Sequence, residues 1–317
     1  MLSLEFIYQL MGVLLGGVAL VNARDAANPR RWSNTAFWGL YAASFLFGSW
    51  LPARVSGALV LAMTLVAGFR GLGQGRSPTT SPAERRASAE RWGNRLYLPA
   101  LLVPGLTLLG TLTLKRVSLG GVPLVDARQV TLISLGLATL AALAVGMAML
   151  RPPPAAPLHE ARRLLDTVGW AAVLPQMLAS LGALFALAGV GQVVAELTTR
   201  WVPLETPLAA VAAYGIGMAL LTMLMGNAFA AFPVMTAGIA LPLIVGRFGG
   251  DPVVISAIGM LAGFCGTLMS PMAANFNLVP VALLELPDEN AVIKAQIPTA
   301  LPLLAVNIAL MYFLAFR

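Results

Sequence analysis

Stretches without a single ionisable residue dominate this chain, and their lengths set the first expectation. In the first half they cover 6–23, 32–53, 55–69, 96–114 and 129–150, each 15 to 22 residues long. An α-helix rises about 1.5 Å per residue, so about 20 residues cross a hydrocarbon core of roughly 30 Å. Each window therefore predicts one crossing, the short third one extended by Arg54 and Arg70 snorkelling outward. The second half is different: its windows are 167–195, 206–246, 252–284 and 295–316, the second of them 41 residues long. As one straight helix that window would run about 60 Å, twice the hydrocarbon thickness. The three long windows must break, and each holds the means near its middle: Gly189-Val190-Gly191, then Gly226-Asn227 with Pro233, then Ser270-Pro271 with Asn275 and Asn277. Proline removes a backbone donor and glycine relaxes helical geometry, so the chain can unwind there. Thr206-Pro207 and Asp251-Pro252 read as N-caps followed by proline in the first turn. The pattern predicts an all-α, polytopic transmembrane helix bundle of about nine to ten hydrophobic segments. It has a five-span region over 1–163 and, over 164–317, a region of discontinuous or re-entrant helices, the two joined in one structural domain.

Composition agrees. The 317 residues are 58% hydrophobic and 10% charged, with mean hydropathy +0.83, whereas soluble chains carry about 25% charged residues. The net charge of +7 comes almost entirely from arginine, and its distribution sets orientation. Segments 22–31, 70–95 and 151–163 hold twelve Arg between them, against Arg54, Lys115, Arg116 and Arg128 in the intervening connections. The positive-inside bias puts the N-terminus outside the cytoplasm. All six Trp fall at or near expected span ends, where interfacial aromatics belong. Segment 70–95 reads as a Gly/Ser/Pro-rich cytoplasmic linker whose arginines enforce topology rather than as a nucleic-acid arm, and His159 as a solvated loop histidine. Asp166, Glu196 and Glu285 read as markers of span ends.

Candidate chemistry lies in the breaks. Unwound backbone and amide side chains are tolerated at membrane depth only inside protein or beside a cavity. Transporters use that arrangement: half-helix N-termini face an anionic solute, while freed carbonyls and Asn, Ser or Thr oxygens hold substrate or cation. The candidate site is Gly226, Asn227, Thr236, Ser270, Pro271, Asn275 and Asn277, with Gly189, Gly191 and Pro233 as helix breaks. Asn275 and Asn277 cannot point the same way on an α-helix, which argues for unwound backbone around them. A tight turn between two complete spans, 208–225 and 228–246, is the competing reading of Gly226-Asn227. No Ser–His pair, paired carboxylates or metal-ligand set falls within a span, so no catalytic residue, metal or cofactor is assigned. Neutral groups alone would then discriminate a small anionic solute.

Three runs carry a family resemblance: GWAAVLPQMLASLGALFALAGVGQVV (169–194), LMGNAFAAFPVMTAGIALPLIV (224–245) and GFCGTLMSPMAANFNLVPVALLEL (263–286). With them the chain resembles, over essentially its whole length, the bacterial inner-membrane family catalogued as domain of unknown function 979. The resemblance implies a subunit paired with a small membrane protein of the companion family numbered 969. The pair is associated with pyroglutamyl peptidase and is thought to form a permease for 5-oxoproline (pyroglutamate). The broken segments also look like those of the ion-transporter superfamily that includes gluconate and arsenite carriers. The expected function is thus one subunit of a secondary transporter for a small carboxylate, coupled to Na+ or H+, acting with that companion or as a homo-oligomer. A non-transporting membrane scaffold for a partner is the alternative.

Overall fold

In the computed structural model, which describes residues 2–75, 80–119, 122–201, 205–284 and 286–317, the uncharged windows become helices. Among the described residues six helices are long and apolar enough to cross a membrane, and three shorter apolar helices accompany them. The chain is an all-α, multi-pass membrane protein. It divides into two compact units, 1–166 and 167–317, three residues beyond the boundary that the change in window length suggests.

Unit 1 contains the five expected helices: α1 (Leu4–Arg24), α2 (Arg31–Phe47), α3 (Ala53–Leu65, widening to a π turn over 66–70), α5 (Tyr97–Thr113) and α6 (Val130–Leu150). Helix α2 has 17 residues, fewer than its window. None of α5 is buried. Its exposed Leu101, Leu108 and Leu112 are what a lipid-facing helix presents. A two-residue ladder, β1 (Ser118–Leu119) with β2 (Val122–Pro123), connects α5 to α6.

Two segments expected to be loops contain helices. Within 70–95, Ser81 and Glu84 form a reciprocal capping box that starts α4 (Pro82–Trp92). The two Ser81 hydrogen bonds hold the exposed Glu84 carboxyl below its ordinary value. Residues 76–79 of this segment lie outside the described residues, as does Glu285. Within 151–163, Pro152–Pro154 are followed by α7 (Ala156–Val168).

Helix α7 overturns three expectations. His159 is on this helix rather than in a solvated loop, with its Nδ1 buried. Asp166 does not mark an exposed span end; it is 6% exposed, beside Arg162 at 2%. Trp38 is not interfacial. It is fully buried in α2, packed edge-on to Phe37, and its Nε1 donates to Asp166 Oδ1 at 2.8 Å. Among the described residues, Trp32, Trp50 and Trp170 are exposed.

Arg162 ties these elements together, its Nη1 lying 3.0 Å from Asp25 Oδ2 and its Nε 4.0 Å from Asp166 Oδ2. Removing one member of a buried charge cluster strands the others, at a cost of about 3–5 kcal/mol. Arg162→Met should therefore lower the thermal unfolding midpoint of the solubilised protein sharply, whereas exposed Arg163→Met should leave it unchanged.

Unit 2 comprises α8 (Leu174–Leu187), α9 (Val190–Trp201), α10 (Pro207–Met225), α11 (Ala228–Met235), α12 (Pro252–Leu268), α13 (Ala274–Leu283) and α14 (Ala291–Ala315). Both expected N-caps are present: Thr206 Oγ1 accepts from Ala209 N, and Asp251 Oδ1 accepts from Val253 N and Val254 N. Helix α11 passes into a π-helical stretch, Thr236–Arg247. Its core joins Val211, Tyr214, Met218, Met235, Ile239, Ile244, Ile255, Ala262 and Met311.

Candidate functional site

The site is built by two chain breaks in unit 2. At the first, Gly226 ends α10 in the left-handed conformation (φ +71°), and Asn227 caps α11, its Oδ1 accepting from Phe229 N at 2.7 Å. The arms on either side have 19 and 20 residues, so each is long enough to cross a membrane. They fold back antiparallel, since Tyr214 Oη and Thr236 Oγ1 are 3.1 Å apart. The 41-residue window thus holds a helical hairpin with Gly226-Asn227 at its tip. Pro233 does not break it: α11 continues through Pro233.

At the second break α12 ends and α13 begins after the non-helical residues Met269–Ala273. Helix α12 runs parallel to α10, with Gly259 against Tyr214, Gly263 against Met218, and Gly266 against the Ala219 backbone. Small residues at such spacing let two helices approach closely. The consequence is that the two breaks meet. Ser270 Oγ donates to the Met223 carbonyl across 2.6 Å and accepts from Met272 N, while Gly226 backs directly onto the Met272 carbonyl. Asn277 Nδ2 donates to the Thr267 and Ser270 carbonyls at 2.8 and 2.7 Å, satisfying acceptors that the end of α12 leaves open.

Depth follows from α14, which runs antiparallel to α12: Asn307 Nδ2 lies 3.5 Å from Cys265 Sγ, and Asp251 N donates to the Ala315 carbonyl. From Asn307 back to the start of α14 is about 24 Å, whereas α12 ends about 4.5 Å beyond Cys265. The meeting point is therefore level with the interior of α14, not with its first turn. Helix α13, about 15 Å long, packs on α14 beyond it.

The expected residues divide accordingly. Gly226, Ser270 and Asn277 are brought together and buried, with Asn227 beside them at 9% exposure. Pro271 is exposed and Asn275 half-buried. Both Asn275 and Asn277 lie on helical backbone, so the unwound stretch precedes them instead of containing them. Thr236 does not join the group. It lies nine residues along the second arm from Asn227, about 13 Å away, with its hydroxyl engaged by Tyr214. Gly189 does interrupt a helix, between α8 and α9 at φ +71°. Gly191 instead lies within α9, pressed against the Val234 carbonyl.

Two unsatisfied oxygens complete the picture. Asn277 Oδ1 and Thr222 Oγ1 are buried without a hydrogen-bond partner. Thr222 was not among the expected residues, although it precedes Gly226 by one helical turn, and its carbonyl accepts the Gly226 N–H. Gly263 keeps the space beside its hydroxyl open, since a Cβ there would lie 3.3 Å from Thr222 Oγ1.

The arrangement brings together two helix C-termini, of α10 and α12, and two N-termini, of α11 and α13. Facing ends of this kind offer carbonyl oxygens to a cation and backbone N–H groups to an anion. The profile of the family described as Protein of unknown function (DUF979) matches residues 5–316. The chain belongs to that family. No curated protein matches it, and no solved structure does. The family match spans both units, so unit 1 is as much a part of it as the breaks.

Proposed function

We propose that this member of the family is a subunit of a secondary transporter for a small carboxylate, with 5-oxoproline as the favoured substrate. The observation that carries the reading is the meeting of two chain breaks level with the middle of α14, with Thr222 Oγ1 and Asn277 Oδ1 unsatisfied beside them. The N-termini of α11 and α13 suit a carboxylate. The Asn275 amide, which has no hydrogen bond among the described residues, suits a lactam, because it can both donate and accept. The coupling ion is H+ or Na+, and the membrane is the bacterial inner membrane, with the N-terminus outside.

Partnership belongs to the same proposal. Inverted-repeat transporters place broken helices in both halves, yet in unit 1 the proline-bearing α5 runs unbroken through Pro104. The counterpart is then supplied by a second copy or by a companion membrane subunit of the family numbered 969. Labelled 5-oxoproline uptake in cells lacking only this chain, with companion abundance measured in the same membranes, tests the reading. Loss of uptake at unchanged companion abundance is expected. Loss that merely follows disappearance of the companion would favour the scaffold instead, and unchanged uptake would remove the proposal.

A further inference from the structure

The buried charge cluster of unit 1 is not needed to hold a carboxylate solute, and its balance is uneven. Asp25 and Asp166 share one cation, Arg162, and the guanidinium pairs closely with Asp25, at 3.0 Å, while staying 4.0 Å from Asp166. Asp166 Oδ1 is fully engaged, accepting from Trp38 Nε1 and from Asn22 Nδ2 at 3.2 Å. Asp166 Oδ2 is buried with no hydrogen-bond partner, on a side chain 3% exposed. A carboxylate oxygen left so is costly, because charge and lone pairs are both removed from water.

We infer that Asp166 is a proton-binding site: Oδ2 takes one proton from water, and the cluster passes from a net charge of −1 to neutrality. A proton fits better than a metal cation. A cation needs several oxygens around it, and the Arg162 guanidinium already occupies one side of the space. Burial pushes the Asp166 carboxyl up, outweighing the opposing hydrogen bonds from Trp38, Asn22 and Asn34 and the charge of Arg162. Among the described residues, the charged or titratable groups around it are Asp25 from α1, Tyr41 from α2, and Arg162 with His159, two turns earlier, from its own helix.

The site is wired to the chain around it. Asn22 Oδ1 accepts from Asn34 Nδ2, and Asn34 holds both the carbonyl and the N–H of Gly73, at 2.6 and 3.0 Å. Asn28 Nδ2 donates to the same carbonyl. Protonation at Asp166 weakens its hold on Asn22, and the change passes through Asn34 to the backbone that leaves α3. Resting on the transport reading, this makes H+ the coupling ion.

Trp38 is a built-in reporter. In a chain whose other five Trp are replaced by Phe, Trp38 emission should follow a one-proton titration with its midpoint above the ordinary carboxylate value of about 3.9. Asp166→Asn should abolish that titration and remove one protonated-carboxyl stretch from the infrared difference spectrum of the otherwise native chain. Asp25→Asn should leave both signals present. Emission that does not titrate, or that titrates equally in Asp166→Asn, overturns the site. In proteoliposomes Asp166→Asn should retain 5-oxoproline exchange and lose accumulation driven by a proton gradient; undiminished accumulation overturns the coupling role. Native chain that moves no 5-oxoproline defeats the transport reading alone, because the Trp38 titration is read without substrate.

Discussion

Gly226→Ala should abolish uptake and destabilise the solubilised protein, and Gly249→Ala should do much less. Both glycines sit at φ +71°, so both substitutions force an L-residue into the left-handed region at about 1–2 kcal/mol. The surroundings differ. Nothing lies within 4 Å of a Cβ at Gly249, whereas one at Gly226 would strike the Met272 carbonyl and the Ala273 backbone. Backbone cannot turn aside as a flexible side chain can, so the two breaks would have to separate. The Ser270–Met223 hydrogen bond would go with them. Thermal unfolding of the two variants, read beside uptake, separates the backbone cost common to both from the close approach found only at Gly226.

Asn277→Ala and Asn275→Ala should part in kind. Asn277 Nδ2 serves two carbonyls at the end of α12. Leaving a buried acceptor unsatisfied costs about 1–3 kcal/mol, and two are exposed to that loss. This variant should fail to accumulate in membranes. Asn275, two residues earlier on α13, is half-buried and holds up no backbone among the described residues. Its alanine variant should accumulate normally and lose 5-oxoproline uptake by tenfold or more, since one lost hydrogen bond to a charged or strongly polar group is worth about 1.5–3 kcal/mol. Quantitative immunoblotting beside uptake distinguishes the two outcomes.

Much of this was legible in sequence because each signal was local. Window length located the helices, Thr206-Pro207 and Asp251-Pro252 marked two starts, and Gly226-Asn227 and Ser270-Pro271 marked the two breaks. Partners distant in sequence were not legible. Thr236 looked like part of the first break because it is near it along the chain, but the hairpin carries it away and pairs it with Tyr214, 22 residues earlier. Asn275 and Asn277 diverge because they sit on one helix, not because that helix is unwound. The unit 1 cluster was hidden for the same reason: Trp38 and Asp166 are separated by 128 residues, and Asp166 read as the end of a span. Only the amphipathic spacing of Arg162 and Asp166 on α7, four residues apart, hinted at a buried face.

The central claim is that the meeting of the two breaks is where a small carboxylate binds. Met272 tests it most directly, because its carbonyl backs onto Gly226 while the residue itself is 60% exposed. With Cys265, the chain's one cysteine, replaced by Ser, Met272→Cys would carry the single thiol of the chain. Its rate of labelling by a membrane-impermeant thiol reagent is measured with increasing 5-oxoproline. The account predicts that saturating 5-oxoproline slows labelling severalfold while an equally charged non-substrate such as chloride does not; a rate unchanged at every 5-oxoproline concentration would contradict it.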